Sequence, residues 1–188
     1  MHLYGSIASP FAQRVLMAAR AKGHEIEVRA PLGDNMKSEE FRAISPMGRI
    51  PVLALDNGEH LCESAAIAGY LDETLDGPAL MPENALARAR VREIVSIGIG
   101  EIGVAMRPMM AHLVFRMSDA PQVVDAARSQ LVQGRDALDR LLGNALADGK
   151  PLTFADCALV PVITLVELVE PMTGAWSLLA ESAAISRY

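Results

Sequence analysis

Two serines each stand at the start of a predicted helix, and a helix start is a place that can bind negative charge. Ser9 precedes Pro10, which favours the first position of a helix, and Ser64 follows Glu63 before an apolar run. The first N–H groups of a helix have no partner within it, and the helix dipole adds partial positive charge there. Such a site stabilises a carboxylate or a thiolate. The alternative is structural, because serine is also a preferred N-cap, contributing ~1 kcal/mol.

A third feature, Ile50-Pro51, lies between these serines in the sequence. The residue before a proline is pushed toward an extended backbone. Pro46 and Gly48 just upstream predict a tight turn. Pro51 therefore either belongs to a specified bend or simply begins a strand.

The elements that must position these residues follow the order β-α-β-α-β-β-α. Strands are predicted at residues 2–4, 25–29, 51–55 and 59–61, and helices at residues 10–22, 38–44 and 64–75. The turn residues Asp56-Asn57-Gly58 predict a hairpin between the last two strands. This order predicts an α/β domain over residues 1–76, with helices packed on a small mixed sheet.

The rest of the chain has a different pattern. Residues 77–84 are rich in breakers and predict a linker, whereas residues 85–188 predict an all-helical domain with helices at 85–106, 120–146 and 153–170. Glycines weaken the first of these helices, which indicates either close helix packing or close approach to a partner subunit or ligand; they are Gly98, Gly100 and Gly103. Methionines follow that predict either core or a permissive apolar pocket, namely Met106, Met109, Met110 and Met117.

Composition excludes several classes of protein. With 51% apolar residues, 21% charged residues and a net charge of −6, the chain is neither disordered nor a general nucleic-acid binder. Cys62 and Cys157 form no disulfide framework and suit a reducing compartment, where we expect both to be buried as small apolar residues. The four histidines share no ligand spacing, so we expect no metal. We also expect no signal peptide and no membrane-spanning segment, and hence a cytoplasmic protein.

Four segments together resemble the glutathione transferase family. They are residues 9–15 (SPFAQRV), 46–53 (PMGRIPVL), 63–67 (ESAAI) and 152–156 (LTFAD). The resemblance covers nearly the whole chain and implies a thioredoxin-like α/β N-terminal domain that binds glutathione, followed by an all-α domain. Because family members are commonly longer, it also implies that the helical domain is short at its C-terminus, soon after residues 176–179.

The resemblance places the glutathione sulfur beside Ser9, whose hydroxyl would donate a hydrogen bond to the thiolate. Ser6 and Tyr4 remain alternatives, because some subclasses use an earlier serine or a tyrosine of this loop. Phe11 is included in the same site. The resemblance further implies that Pro51 is cis and that the backbone of Ile50 binds the cysteinyl part of glutathione.

The remaining groups of glutathione are assigned in the same way. Ser64 and the adjacent backbone would hold the γ-glutamyl carboxylate, and Glu63 would pair with the γ-glutamyl amino group, with Ser64 as the predicted N-cap. Lys37 either reaches the glycyl carboxylate or is a solvated surface lysine. Arg14 and Arg49 are interpreted as structural or steering groups. A capping box for folding is predicted from two further residues, Thr153 and Asp156.

The function implied is that of an enzyme with glutathione as co-substrate. Its thiolate would attack a small, unidentified hydrophobic electrophile, as in detoxification, or catalyse a glutathione-dependent isomerisation. The alternative is a non-catalytic binding or interaction protein of the same fold. A thiol-disulfide oxidoreductase is disfavoured, because the hydroxyl of Ser9 cannot form a mixed disulfide. The resemblance also implies a homodimer without nucleic-acid or membrane partners.

Overall fold

The protein is described by a computed structural model that covers residues 1–117, 119–142, 151–174, 177, 182 and 185. Its contacts divide the chain into two compact units. The first comprises Met1–Pro82 with Leu152–Cys157, and the second comprises Glu83–Pro151 with Ala158–Tyr188. The predicted fold class is confirmed: a thioredoxin-like α/β unit precedes a helical region.

The first unit is built on a four-stranded sheet with the order β2-β1-β3-β4. Its strands are β1 (His2–Tyr4), β2 (Val28–Arg29), β3 (Val52–Ala54) and β4 (His60–Cys62). β1 runs parallel to β2 and antiparallel to β3, which is antiparallel to β4. Tyr4 pairs with Val52, which pairs with Cys62. The end of β1, the start of β3 and the end of β4 therefore meet at one end of the sheet.

Residues 1–82 of this unit also form three α-helices and a 3-10 turn, namely α1 (Pro10–Ala21), the 3-10 turn (Leu32–Asp34), α2 (Glu39–Ile44) and α3 (Ser64–Thr74). α1 and α3 pack on each other and on the sheet through a core that includes Leu3, Val15, Leu53, Ile67 and Leu71. The predicted order of elements is confirmed. The strand predicted at 25–29 is shorter than expected, because β1 pairs with it at only two positions.

One long helical stretch opens the second unit. It consists of α4 (Ala85–Ile97), a π-helical segment (Gly98–Gly103), α5 (Val104–Met109) and a second π-helical segment (Met110–Val114). The sequence prediction ended this helix at residue 106, which is too early. Wider π turns on either side of α5 carry the helix past its glycines and past Pro108, both of which weaken ordinary α-helical hydrogen bonding.

Two more helices follow, α6 (Gln122–Leu142) and α7 (Phe154–Val169), and then a 3-10 turn (Glu170–Thr173). The predicted helical residues 143–146 lie outside the described residues, as do Trp176, Leu178 and Leu179. The core of this unit includes Ile102, Met106, Met109, Leu131 and Leu138.

The structure distinguishes between the alternatives for Gly98 and for the methionines that follow it. A Cβ at Gly98 would collide with the Leu159 side chain on α7, so this glycine permits close helix packing, the first of the two alternatives. Met106 and Met109 are core residues, each 1% exposed, whereas Met117 is 79% exposed. The methionines therefore do not form a single stripe.

The stretch Ala85–Val114 is also long and apolar enough to cross a membrane, judged by length and composition only. The sequence prediction of no membrane-spanning segment considered only uninterrupted apolar runs and therefore did not identify this stretch. The core helices of soluble proteins pass the same test, and Ile102, Met106 and Met109 of this stretch lie in the core of the second unit. The absence of a membrane partner stays a prediction.

Candidate functional site

The predicted site residues of the first unit meet at the end of the sheet where Tyr4, Val52 and Cys62 pair. The loop that leads from β1 to α1 carries Ser9, the segment before β3 carries Ile50-Pro51, and the turn from β4 to α3 carries Glu63-Ser64. These segments approach closely: a Cβ at Gly5 would lie 3.4 Å from the Ala12 Cβ and 3.9 Å from the Pro51 Cβ. Distant parts of the sequence thus form one surface.

Ser9 is the N-cap of α1, as predicted. Its Oγ accepts a hydrogen bond from the Ala12 N–H at 3.4 Å, which is long for a bond of this kind. The capping bond is therefore weak. It uses only an acceptor position, so the hydroxyl hydrogen of Ser9 remains able to point toward an anion in front of the helix.

The two alternatives to Ser9, Tyr4 and Ser6, make other contacts. Tyr4 packs its ring edge-on against His2 and Phe41, with centroid distances of 4.7 Å and 6.4 Å. The Ser6 Oγ accepts from the Ala8 N–H at 3.3 Å in an exposed turn. Neither residue stands at a helix start, so neither combines a hydroxyl with the positive end of a helix as Ser9 does.

The Ile50–Pro51 peptide bond is cis, as the resemblance implies. The turn before it is held by Ser45, a buried residue whose Oγ donates to the Arg49 carbonyl and accepts from the Arg49 N–H, each at 2.9 Å. Within the part of the chain that the structure describes, the backbone of Ile50 has no hydrogen-bond partner. Ile50 thus presents an N–H and a C=O at the end of the sheet.

The start of α3 differs from the prediction. Glu63 is the N-cap, whereas Ser64 is the first helical residue. The reason is that the chain turns from β4 into α3 within one residue, and Glu63 makes this turn with φ +67°. Such a conformation costs on the order of 1–3 kcal/mol in a non-glycine residue. The Glu63 side chain makes no capping hydrogen bond and is exposed, so α3 begins with N–H groups that no N-cap side chain covers.

Arg14 of α1 connects to this helix start. Its Nη1 donates to the Ser64 Oγ at 3.2 Å, and both residues are buried. Burial lowers the pKa of the Arg14 guanidinium to about 10, which leaves it charged at neutral pH. Three sources of positive potential therefore surround the site: the N-terminus of α1, the N-terminus of α3 and Arg14.

The other predicted residues are less closely involved. Lys37 is exposed and directly precedes Ser38, the N-cap of α2; its own N–H donates to Asn35 Oδ1 at 2.8 Å. Phe11, the second residue of α1, is half-buried, and Arg49 is exposed. The roles of Lys37, Phe11 and Arg49 stay predictions.

Residues interpreted as structural behave largely as expected. In the capping box, Asp156 Oδ2 accepts from the Thr153 N–H at 2.5 Å and from the Thr153 hydroxyl at 2.7 Å, while Thr153 Oγ1 accepts from the Ala155 N–H at 3.3 Å. Burial raises the pKa of the Cys157 thiol to about 12. Cys62 is only half-buried, contrary to expectation, because it ends the outer strand β4. The described residues include no group of three or more His, Cys, Asp or Glu arranged to hold a metal ion.

Two residues of the site were missed or undervalued by sequence reasoning. Ser45 precedes the Pro46-Met47-Gly48 turn, and a serine before such a turn is a signal for local hydroxyl-to-backbone bonding. Arg14 lies among the buried positions of α1, beside Val15 and four residues before Ala18. The presence of the charged Arg14 on an otherwise apolar face of α1 was the signal in the sequence that this residue has a functional role.

Comparisons with known proteins agree with this geometry. Residues 3–79 match the family model of the glutathione S-transferase N-terminal domain. A glutathione S-transferase of Pseudomonas putida is 31% identical over 83% of this chain and 70% of its own length. The maleylacetoacetate isomerase of Pseudomonas aeruginosa is 29% identical over 94% of this chain and 86% of its own length.

Among solved structures, the maleylacetoacetate isomerase of Methylobacterium extorquens AM1, determined with bound malonate and glutathione, has the same fold. It superposes with a TM-score of 0.79 at 25% identity, covering 100% of this chain and 89% of that one.

Proposed function

Since this chain belongs to the glutathione S-transferase family, we propose that the end of the sheet in its first unit binds glutathione and ionises the thiol. The observation that carries the proposal is the meeting of Ser9, Ile50 and Ser64 at that end. Each supplies a different kind of group, namely a hydroxyl at a helix start, a backbone N–H and C=O without a partner among the described residues, and a helix N-terminus. The chain is accordingly a glutathione transferase.

Ser9 and the N-terminus of α1 act on the sulfur. The free thiol of a cysteine has a pKa of about 8.5, and positive potential together with a donated hydrogen bond lowers it. The hydroxyl of Ser9 donates to the thiolate, while the α1 dipole favours its negative charge. The nucleophile is then the sulfur of glutathione and not the serine.

The rest of glutathione is held away from the sulfur. Ile50 offers its N–H and C=O to the cysteinyl residue, in the manner of a strand pair. Ser64 and the first N–H groups of α3 take the γ-glutamyl carboxylate. Glu63 pairs with the γ-glutamyl ammonium, and its exposed carboxylate suits a ligand that approaches from solvent. Lys37 is assigned to the glycyl carboxylate.

Relatives named maleylacetoacetate isomerase favour isomerisation as the reaction. A thiolate adds to the carbon of a double bond conjugated to a carbonyl, and the bond becomes single and rotates. Loss of the thiolate then restores the double bond in the trans form and returns glutathione unchanged. Transfer of glutathione to a hydrophobic electrophile is the second candidate, favoured by the relative from Pseudomonas putida.

Two measurements test the proposal. Glutathione at 100 times its dissociation constant stabilises the native state by about 2.7 kcal/mol, which raises the melting temperature of a chain this size by about 5–10 °C. Turnover is then measured with a cis-configured unsaturated dicarboxylate and with an aryl halide. Absence of both a thermal shift and calorimetric binding contradicts glutathione binding. Binding without turnover of either substrate favours the non-catalytic alternative.

We further propose a homodimer and a cytoplasmic location. The dimer is proposed from the family resemblance, and the location from two cysteines that suit a reducing compartment. Light scattering at micromolar concentration is expected to give twice the mass of the 20.1 kDa chain. A monomeric mass contradicts the dimer.

A further inference from the structure

Arg14 is a buried charge with few partners. It is 3% exposed, and its Nη1 donates to Ser64 Oγ at 3.2 Å. Among the described residues, neither its Nε nor its Nη2 has a hydrogen-bond partner, and no carboxylate forms an ion pair with it. Buried arginines in proteins are normally paired with acids. This one instead contacts the residue that begins α3.

The Arg14–Ser64 hydrogen bond determines what the serine hydroxyl can do. Because a guanidinium only donates, Ser64 Oγ must accept in this bond. The hydroxyl hydrogen of Ser64 is then available to donate to a second group. An acceptor with negative charge is favoured there, since the helix N-terminus and the guanidinium both add positive potential.

The contact also has a purely structural interpretation. Arg14 and Ser64 are 50 residues apart, so their bond ties α1 to α3. If the bond only linked the two helices, a pair of apolar residues would link them as well, because a buried charge without a counter-charge opposes folding. Arg20 on the same helix shows the ordinary arrangement, with its guanidinium exposed and paired with Glu25 at 3.1 Å.

We propose that Arg14 is a positioning residue for carboxylate recognition, acting through Ser64. It holds Ser64 Oγ as an acceptor and so directs the serine hydroxyl hydrogen to the α-carboxylate of the γ-glutamyl group. This inference rests on the proposed glutathione site and adds to it a residue that does not itself touch the ligand.

Calorimetry with three ligands tests it. The first ligand is glutathione, and the second is the analogue in which 4-aminobutyrate replaces the γ-glutamyl residue with the amide bond kept, so that the α-carboxylate is lost and the amino group is retained. A second analogue that retains the carboxylate but lacks the amino group separates the two. Arg14→Gln is expected to raise the dissociation constant about ten-fold or more for the two ligands that bear the carboxylate. For the analogue without it, wild type and variant are expected to agree.

Matched variants separate positioning from structure. Arg20→Gln on the same helix is expected to leave all three dissociation constants unchanged. Arg14→Lys, which keeps a charged donor, is expected to recover part of the affinity. In the Ser64→Ala background, Arg14→Gln is expected to have no further effect on glutathione, because the residue through which it acts is gone.

The outcomes are distinguishable from failure of the proposed function. If wild type does not bind glutathione, the proposed function fails. If wild type binds it but Arg14→Gln changes all three ligands equally or none of them, the positioning role is overturned. If Arg14→Gln does not fold, the dissociation constants of Arg14→Lys are compared with those of wild type instead. Arg14→Lys is expected to lose affinity only for the ligands that bear the carboxylate, and to lose less than expected for Arg14→Gln.

Discussion

The hydroxyls of two serines at the site form hydrogen bonds with backbone groups. Ser9 is held by the Ala12 N–H, and Ser45 by the N–H and carbonyl of Arg49. A side chain held by one weak backbone bond keeps the freedom to bind a ligand, whereas one held by two short bonds acts as part of the scaffold. Ser9 is therefore the hydroxyl suited to chemistry, and Ser45 the one suited to shaping the turn before Ile50.

Ser9→Ala is expected to raise the pKa of the bound glutathione thiol by about one to two units, because a charge-assisted hydrogen bond contributes ~1.5–3 kcal/mol. Turnover at neutral pH is expected to fall by about the same number of decades, with little change in binding. The variant also loses a weak cap, which costs ~1 kcal/mol or less, so melting is measured alongside. Ultraviolet titration of the bound thiolate checks the prediction, and Ser6→Ala is the control. Coincident titrations of wild type and Ser9→Ala contradict it.

Glu63 combines a strained backbone with a charge, and the two are separable. Glu63→Gly is expected to raise the free energy of unfolding by up to about 2.5 kcal/mol, because relief of ~1–3 kcal/mol of strain outweighs the ~0.5–1 kcal/mol entropic penalty of glycine. Glu63→Ala keeps φ +67° and is expected to give no such gain. Both variants are expected to bind glutathione more weakly. The free energy of unfolding of both variants is measured by urea titration, and equal values for the two contradict the prediction that the Glu63 backbone is strained.

At the scale of elements, the sequence predicted the order in the first unit because each element carries a local signal. Ser9-Pro10 starts α1, Ser38 starts α2, and Asp56-Asn57-Gly58 marks the hairpin. Two features escaped prediction because they depend on neighbours in space or on chain direction. The Arg14–Ser64 bond joins residues 50 apart, and the Glu63 turn follows from how β4 leads into α3.

Another long-range contact anchors the ends of α1 and α3. Lys22 and Asp72 form a buried ion pair at 3.2 Å, with side chains 2% and 9% exposed. Lys22 Nζ also donates to the Pro78 carbonyl, and Asp72 Oδ1 also accepts from the Leu80 N–H. The chain that leaves α3 is thereby fixed against α1. Gly77 lies in this segment with φ +116°, where a Cβ would collide with the Lys22 carbonyl.

Asp72→Ala is expected to lower the free energy of unfolding by ~3–5 kcal/mol, because it leaves the Lys22 ammonium buried without a counter-charge. The loss is measured by urea denaturation. Glu25→Ala, which breaks the exposed pair with Arg20, is the matched control and is expected to change stability little. A loss no larger than that of the control contradicts a structural role for the buried pair.

At the scale of the whole molecule, the family was predictable while the individual contacts were not. Four short segments in the right order sufficed for the family, because each lies where a helix or a strand begins, and the chemistry of such a position constrains residue type. The long helix of the second unit was predicted too short, since π turns are not visible in a periodicity of 3.6 residues. The second substrate has no comparable motif, because apolar pockets form from scattered side chains.

Ser9, Ile50 and Ser64 are proposed to form one glutathione site, and a crystal structure of the protein soaked with glutathione is the decisive measurement. We expect the sulfur within hydrogen-bond distance of Ser9 Oγ, the cysteinyl backbone paired with Ile50, and the γ-glutamyl carboxylate at Ser64 and the first N–H groups of α3. Glutathione bound away from this end of the sheet, or with its sulfur at Tyr4 or Ser6, contradicts the claim.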